Sequence, residues 1–278
     1  MIRTAVVRAG LCALVVSFAT PSPGQTLAGG SGHSLVLKPD GTVWSFGVNS
    51  NGQIGNNTLT NQPTPQQVAG LIDVVAVAAG AQHSMALTSA GTLYIWGDNY
   101  YGQVGDDSTT DRKVPVQSSL ANVVAIAAGE YHSVALTSTG DVYTWGRNTN
   151  GQLGTGNTTQ SKIPALIATG ATAIGAGYDH TLFVKTDGTV WAAGLNSSGQ
   201  LGDASTTQRP SPVQMTGIST ATAVAGGDQH SLILLSDGTL KATGANSSSQ
   251  LGDTTTTQRT SPVAVSSLTG VVAIAVGG

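Results

Sequence analysis

Apolar and polar positions alternate along this chain in a pattern that returns five times. A continuous apolar run such as "VVAIAAG" (123–129) leads through a short polar loop into an alternating stretch, "HSVALTS" (132–138). A turn at Gly140 follows, and "DVYTWG" (141–146) returns. A continuous apolar run predicts a strand buried on both faces, and alternation predicts a strand with two distinct faces. Glycine at the turn predicts a hairpin, because tight hairpin turns need positive φ. After the polar loop "RNTNGQLGTG" (147–156) comes a shorter stretch containing proline, "KIPALI" (162–167) or, one repeat later, "SPVQM" (211–215). Proline cannot donate to a strand ladder, so this stretch predicts an edge strand. The predicted unit is an inner strand, a hairpin pair and an outer edge strand.

The unit has a fixed period. The phrase G-x-x-H recurs as "GSGHSLVL", "GAQHSMAL", "GEYHSVAL", "GYDHTLFV" and "GDQHSLIL", with His33, His83, His132, His180 and His230 at steps of 50, 49, 48 and 50. In step with it run "NSNGQIG", "NYYGQVG", "NTNGQLG", "NSSGQLG" and "NSSSQLG", with Gln53, Gln103, Gln152, Gln200 and Gln250. The hairpin turns fall at Gly41, Gly91, Gly140, Gly188 and Gly238. Four antiparallel strands repeated every fifty residues predict an all-β fold, a β-propeller of five blades at about 27–70, 71–120, 121–170, 171–220 and 221–270. A lone blade cannot bury both faces; neighbours arranged around an axis bury them and protect the sheet edges. A β-solenoid would want shorter repeats and parallel pairing, which the hairpins oppose.

Composition refines this picture. Charged residues make up 9% of the chain, far below the roughly 25% of ordinary soluble domains. Residues 1–24 read differently from the rest: Arg3 and Arg8 precede the apolar stretch "AGLCALVVSFA" (9–19), and "TPSPGQ" breaks it before Gln25. That pattern predicts a secretory signal peptide too short to anchor in a membrane. The sole cysteine, Cys12, falls within it. The expected mature chain, 25–278, therefore has no disulfide, which suits a bacterial cell envelope or an extracellular location. Loss of Arg3 and Arg8 takes the formal charge from −3 to −5, so no basic footprint for nucleic acid remains. No later window is apolar enough for membrane insertion.

The repeated phrase G-x-x-H-[ST]-x-x-[LV], followed by D-G-x-[VL]-[WY]-x-[WF]-G-x-N-x-x-G-Q-[LIV]-G, resembles the repeat of the regulator of chromosome condensation family over residues 27–278. The resemblance implies a β-propeller, commonly of seven blades, that serves as a binding platform. It also brings in two family activities: exchange factor for a small GTPase with chromatin docking, and, among exported bacterial relatives, inhibition of β-lactamase-type enzymes. Departures are visible. Five repeats stand where seven are usual. Phe46, Ala193 and Thr243 occupy the position that Trp96 and Trp145 hold in the other two repeats, and Ser249 replaces the glycine of G-Q-L-G in the last copy.

Catalytic chemistry finds no support in the motifs. "GRNTNGQLGTG" (146–156) lacks the lysine and following helix of a phosphate loop and the alternating carboxylates of a calcium loop. It reads as a blade corner in which the glutamine satisfies loop peptide groups and Leu153 plugs the blade. Five histidines spread one per blade cannot converge on one metal ion; a buried histidine bonded to neighbouring backbone is expected. Ser34, Ser84, Ser133, Thr181 and Ser231 follow the histidines directly and so face the other way in a strand. No catalytic residue, cofactor or metal site is expected.

A binding face is expected instead. Loops of an up-and-down blade alternate between two ends, which places the G-x-x-H loops and the N-x-x-G-Q loops on one side. Variation concentrates there, at Tyr100, Tyr101, Glu130, Tyr131, Arg147, Tyr178 and Asp179. Tyrosine and arginine are common anchors of interfaces, and Glu130, Asp179, Asp228, Asp106 and Asp107 are expected to make the face negative. The expected function is an exported, non-catalytic scaffold for a protein or glycan. The competing readings are a GTPase exchange factor or chromatin binder, which export and acidity oppose, an inhibitor of a cell-wall or β-lactamase-type enzyme, and a propeller enzyme. The chain closes on "GVVAIAVGG" (270–278), while "LAGGSGHS" (27–34) starts without an inner strand before it. Two expectations follow: a closed, monomeric five-bladed ring with blade one completed by Val271 to Val276, or, favoured, an open arc in which 271–278 starts a next blade.

Overall fold

The computed structural model of the chain describes residues 26–277, which form five four-stranded antiparallel sheets; residues 1–24, expected to be a signal peptide, and Cys12 among them lie outside the described residues. The first sheet holds β1 (Thr26–Gly29), β2 (His33–Leu37), β3 (Val43–Gly47) and β4 (Gln62–Gln67) in sequence order. The others repeat it: β5–β8 within 74–117, β9–β12 within 123–168, β13–β16 within 171–214 and β17–β20 within 221–264. Sheets pack in chain order through their inner strands, β1 on β5, β5 on β9, β9 on β13 and β13 on β17. This is a β-propeller arrangement. The outer strands carry the prolines, as in "QPTPQQ" and "RPSPVQ", and are exposed or half-buried along their length. Proline there leaves no ladder position unfilled.

Two residues on opposite faces of β2-type strands make the joint between blades. In the second blade Ser84 Oγ lies 2.9 Å from His33 Nε2 of the first blade and donates to the Gln53 carbonyl, also 2.9 Å away. The same arrangement joins His83, Ser133 and the Gln103 carbonyl, then His132, Thr181 and the Gln152 carbonyl, then His180, Ser231 and the Gln200 carbonyl. A hydroxyl has one proton, and the carbonyl takes it, so Nε2 must be the donor to the hydroxyl. The histidine therefore carries its proton on Nε2, and Nδ1 is a bare acceptor. That acceptor is sealed from water without a partner in His33, His83, His132 and His180. The expected backbone partner for these rings is thus replaced by a hydroxyl of the neighbouring blade, because strand alternation aims the histidine forward and the following Ser or Thr backward. Glycine opens the G-x-x-H phrase because the ring lies on it: a Cβ at Gly129 would sit 2.0 Å from His132 Cε1.

The indoles of Trp96 and Trp145 add donors to the same Gln53 and Gln103 carbonyls, at 2.9 and 2.8 Å. At the repeat carrying Thr243, the hydroxyl bonds the Gly199 carbonyl instead, at 2.9 Å. Apolar packing completes each joint; Leu35, Leu37 and Val43 of blade one bury against Val74, Val77, Ala86 and Trp96 of blade two.

The ends depart from the self-closing expectation. Blade one has its own inner strand, β1, paired with β2 from Thr26↔Leu37 to Gly29↔Ser34. Residues 271–276 do not complete it. Val271 N donates to the Gly238 carbonyl at 3.0 Å, as Val74, Val123, Ala171 and Ala221 do to the turn glycine before them. Ile274 and Val271 pack on Leu234 and Leu240 of blade five. The segment thus occupies the place of a following blade's inner strand. On blade one Ser34, Val36 and Phe46 are half-buried, whereas the matching Ser84, Ala86 and Trp96 are buried. The described residues form an open arc.

Two predictions follow from the joints. Burial holds His33 at a pKa of about 4 and His83, His132 and His180 at about 3. Unfolded histidine titrates near 6.5, so the unfolded chain binds more protons below that pH and the fold loses stability as pH falls. Urea midpoints should be level above about pH 7 and drop progressively between about 6.5 and 4; a midpoint insensitive to pH across that window contradicts the buried neutral rings. The second concerns the glycine of G-Q-x-G. Gly102 has φ +84° and a Cβ there would meet Lys162 Cα at 2.7 Å in the next blade. Ser249 occupies the equivalent place at φ 61°. Gly102→Ser should destabilise by more than about 1 kcal/mol, while Ser249→Gly should stabilise by up to about 1 kcal/mol, both read as thermal midpoints.

Candidate binding face

The two loop types share one side of the arc and are tied to each other. Asp98, Arg147, Leu195 and Ala245 donate their backbone N–H to Gln82, Tyr131, Asp179 and Gln229 respectively, at 2.8–2.9 Å. From blade to blade the G-x-x-H loops are also linked, Ala81 N to the Glu130 carbonyl, Glu130 N to Tyr178 and Tyr178 N to Gly227, at 2.9–3.1 Å. Each N-x-x-G-Q-x-G loop is pinned from within by its asparagine. Asn148 Nδ2 donates to the carbonyls of Asn157 and Thr159 while its Oδ1 accepts from Leu153 N. Gln152 Oε1 accepts from Asn150 N. These asparagines are missed when the motif is read for its glutamine alone, although Asn49, Asn99, Asn148, Asn196 and Asn246 recur in step.

The seven residues expected at a binding face come together as one patch across blades two, three and four. Tyr100 and Tyr101 meet edge to face at 4.9 Å between ring centroids, and Tyr101 lies 5.4 Å from Tyr131. The Arg147 guanidinium sits over Tyr101 and Tyr131 at 5.6 and 5.7 Å. It bonds Glu130 at 2.9 Å and approaches Asp179 at 3.8 Å. Tyr100 is 69% exposed, Asp179 is buried, and the others are half-buried. Asp98, which the sequence does not single out, fixes the aromatic end: buried, it accepts from Tyr100 N at 3.1 Å and from Gln103 Nε2 at 2.8 Å.

Electrostatics at the patch follow from partial burial of several acids. Burial raises the carboxyls of Glu130, Asp179 and Asp98, opposed at Glu130 and Asp179 by Arg147. Burial and then Glu130 push the Tyr178 hydroxyl well above the ordinary phenol range. Asp106 and Asp107 do not contribute negative charge as expected. Asp106 is bonded by Arg112 and Ser108, and Asp107 is paired with Lys162 at 3.3 Å, because the loop tail turns back onto basic outer strands. The Ser–His distances in the blade joints match those of a nucleophile and its base. Ser84, Ser133, Thr181 and Ser231 are nevertheless buried with their protons committed to carbonyls, so the contacts hold blades together. Among the described residues no three His, Cys, Asp or Glu side chains converge as metal ligands.

With a four-stranded propeller blade repeated five times and a loop face of this kind, the chain falls in a class of propeller proteins built from a single repeat. The family profile of the RCC1-like domain matches residues 12–278, and the chain belongs to that family. Among solved structures it is similar to human WBSCR16, at 24% identity and a TM-score of 0.76 over 86% of this chain and 66% of that one. It is similar to yeast RCC1 (Prp20), solved bound to Kap60, at 23% identity and a TM-score of 0.74 over 86% of this chain and 60% of that one. A separate Saccharomyces cerevisiae Prp20p structure, described with its binding to Gsp1p and histones, matches at 20% identity and a TM-score of 0.67 over 86% and 76%. The chain thus spans about 60–66% of the length of WBSCR16 and the Kap60-bound Prp20.

Arg147 is the hinge of the patch, so its removal should register in stability. Arg147→Ala leaves Glu130 and Asp179 without their cation and is expected to cost about 1–3 kcal/mol near pH 7. The loss should shrink as pH falls through the carboxylate range, where both acids take up protons. A loss that stays constant from pH 7 to pH 4 contradicts the ion pairing.

Proposed function

We propose that this chain is an exported, non-catalytic binding scaffold whose loop face docks a protein or glycan ligand. The observation that carries the proposal is the tyrosine–arginine patch, held in place before any ligand arrives. Rigid aromatic rings supply contact area at small entropic cost, and Tyr and Arg dominate interface hot spots. Glu130 and the two rings hold Arg147 in one geometry, so binding need not immobilise it.

The similar Prp20 structure bound to Kap60, and the binding to Gsp1p and histones described with the other, support a protein as the ligand. The acidic balance of this chain disfavours the chromatin-docking reading, and the leader-like residues 1–24 support export to a bacterial envelope or the exterior. Inhibition of a cell-wall or β-lactamase-type enzyme is compatible with the same face and specifies one class of protein ligand.

The test is a comparison of the chain with Tyr101→Ala/Tyr131→Ala. Proteins of bacterial cell-surface extracts and a printed panel of polysaccharides serve as probes, with biolayer interferometry as readout. The double variant is expected to lose at least about 2 kcal/mol of binding, some thirtyfold in Kd. Full retention of affinity for every ligand found would remove the loop face from the function.

A further inference from the structure

We infer that the element received by this face is cationic, a Lys or Arg side chain presented by a protein partner and drawn to the acidic loops that carry Glu130, Asp179 and Asp228, on the face that Tyr101 and Tyr131 flank. The inference rests on the loop face being the binding surface and adds the chemistry of what binds there.

Arg147 displays how the patch takes a guanidinium. Two tyrosine faces cover it at 5.6 and 5.7 Å, and a carboxylate meets it at 2.9 Å. Aromatic faces attract cations through their negative π surface, and more strongly where water is excluded. This one internal cation serves both Glu130 and Asp179, which leaves the patch negative.

The next blade extends that excess. Asp228 lies in the loop linked to Tyr178 through the Gly227 carbonyl at 3.1 Å. Asp179 has its hydrogen-bonding capacity met by an assembled set of partners, Asn150 Nδ2 at 2.9 Å and Gln152 Nε2, and shares Arg147 with Glu130. Nothing equivalent serves Asp228. Gln229 stands where Asp179 stands in the previous repeat, and the fully buried Gln200, counterpart of Gln152, has no partner for its Nε2. Asp228 Oδ1 is sealed from water without a hydrogen bond, and among the described residues no Lys or Arg pairs with this carboxylate. Burial accordingly raises the Asp228 carboxyl with no opposing interaction.

Glu130, Asp179, Asp228 and Asp98 therefore face one internal cation on a surface walled by tyrosine. A neutral glycan would leave this imbalance in place, and an acidic ligand would worsen it. A Lys or Arg side chain offers the charge, the N–H donors and the flat or apolar stem that the rings accommodate. The clustered like charges also steer a basic partner towards the face.

The test selects binders from an unbiased displayed-peptide library on the whole chain. Each binder is then measured against Asp228→Asn, Glu130→Gln and Tyr101→Ala/Tyr131→Ala, with thermal melting to establish that each variant folds. Enriched peptides are expected to be rich in Lys and Arg. They should weaken about tenfold in Asp228→Asn or Glu130→Gln, as for one lost charge-assisted hydrogen bond. They should also weaken as ionic strength rises from about 0.05 to about 0.5 M. Two carboxylate variants are used so that misfolding of one leaves the other informative. Neutral or acidic peptides that need Tyr101 and Tyr131 would overturn the cationic partner and leave the binding face standing, as would basic peptides indifferent to both carboxylate changes. Peptides indifferent to the tyrosines as well would overturn both.

Discussion

Everything in this fold depends on a three-part hydrogen bond between blades: an imidazole of one blade, a hydroxyl of the next, and a glutamine carbonyl of the first. Apolar burial drives association of the sheets, but it is non-directional. The His–Ser/Thr–carbonyl chain supplies direction, fixing how far one blade rotates on its neighbour. Its members are buried, so a broken link leaves unsatisfied polar groups that cost more than the bond itself contributes. Four consecutive joints repeat it with hydroxyl–imidazole distances of 2.9–3.1 Å.

The joint also connects the fold to the proposed function. The glutamine whose carbonyl accepts the hydroxyl sits in the N-x-x-G-Q loop, and the histidine ends the G-x-x-H loop. Both loops that build the proposed binding face are therefore anchored at the point where blades are locked. Tyr101 lies two residues before Gln103, and its backbone N–H donates to that side chain at 2.9 Å. Tyr131 immediately precedes His132. Asp179 precedes His180 and receives Gln152 from the blade before. The invariant part of each repeat sets the geometry, and the loop residues beside it are free to vary.

Much of this was legible in the sequence because strand alternation and turn glycines are local signals. The hairpins and the proline-bearing outer strand follow from rules acting within ten residues, and the period from their recurrence along the chain. The partner of the histidine was not legible, since Ser84 meets His33 only after two blades take up their relative rotation. Loop charge misled in the same way. Asp106 and Asp107 read as exposed negative charge, yet tertiary folding returns them to Arg112 and Lys162. The tyrosine patch was readable as loop composition, but Asp98, buried beneath it, carries no signal beyond lying between W-G and the loop asparagine. The inner strand of blade one, short and starting at Thr26, was hidden at the junction with the leader-like segment.

The most direct measurement is a double-mutant cycle across the joint of blades three and four, with His132→Leu, Thr181→Val and the pair, each analysed by urea unfolding at pH 7.5. If the imidazole and hydroxyl act as one linked unit, the single changes should each be costly and the pair should cost less than their sum by at least about 1 kcal/mol. Additive losses would mean that the two groups do not depend on each other, and that apolar packing alone sets the angle between blades.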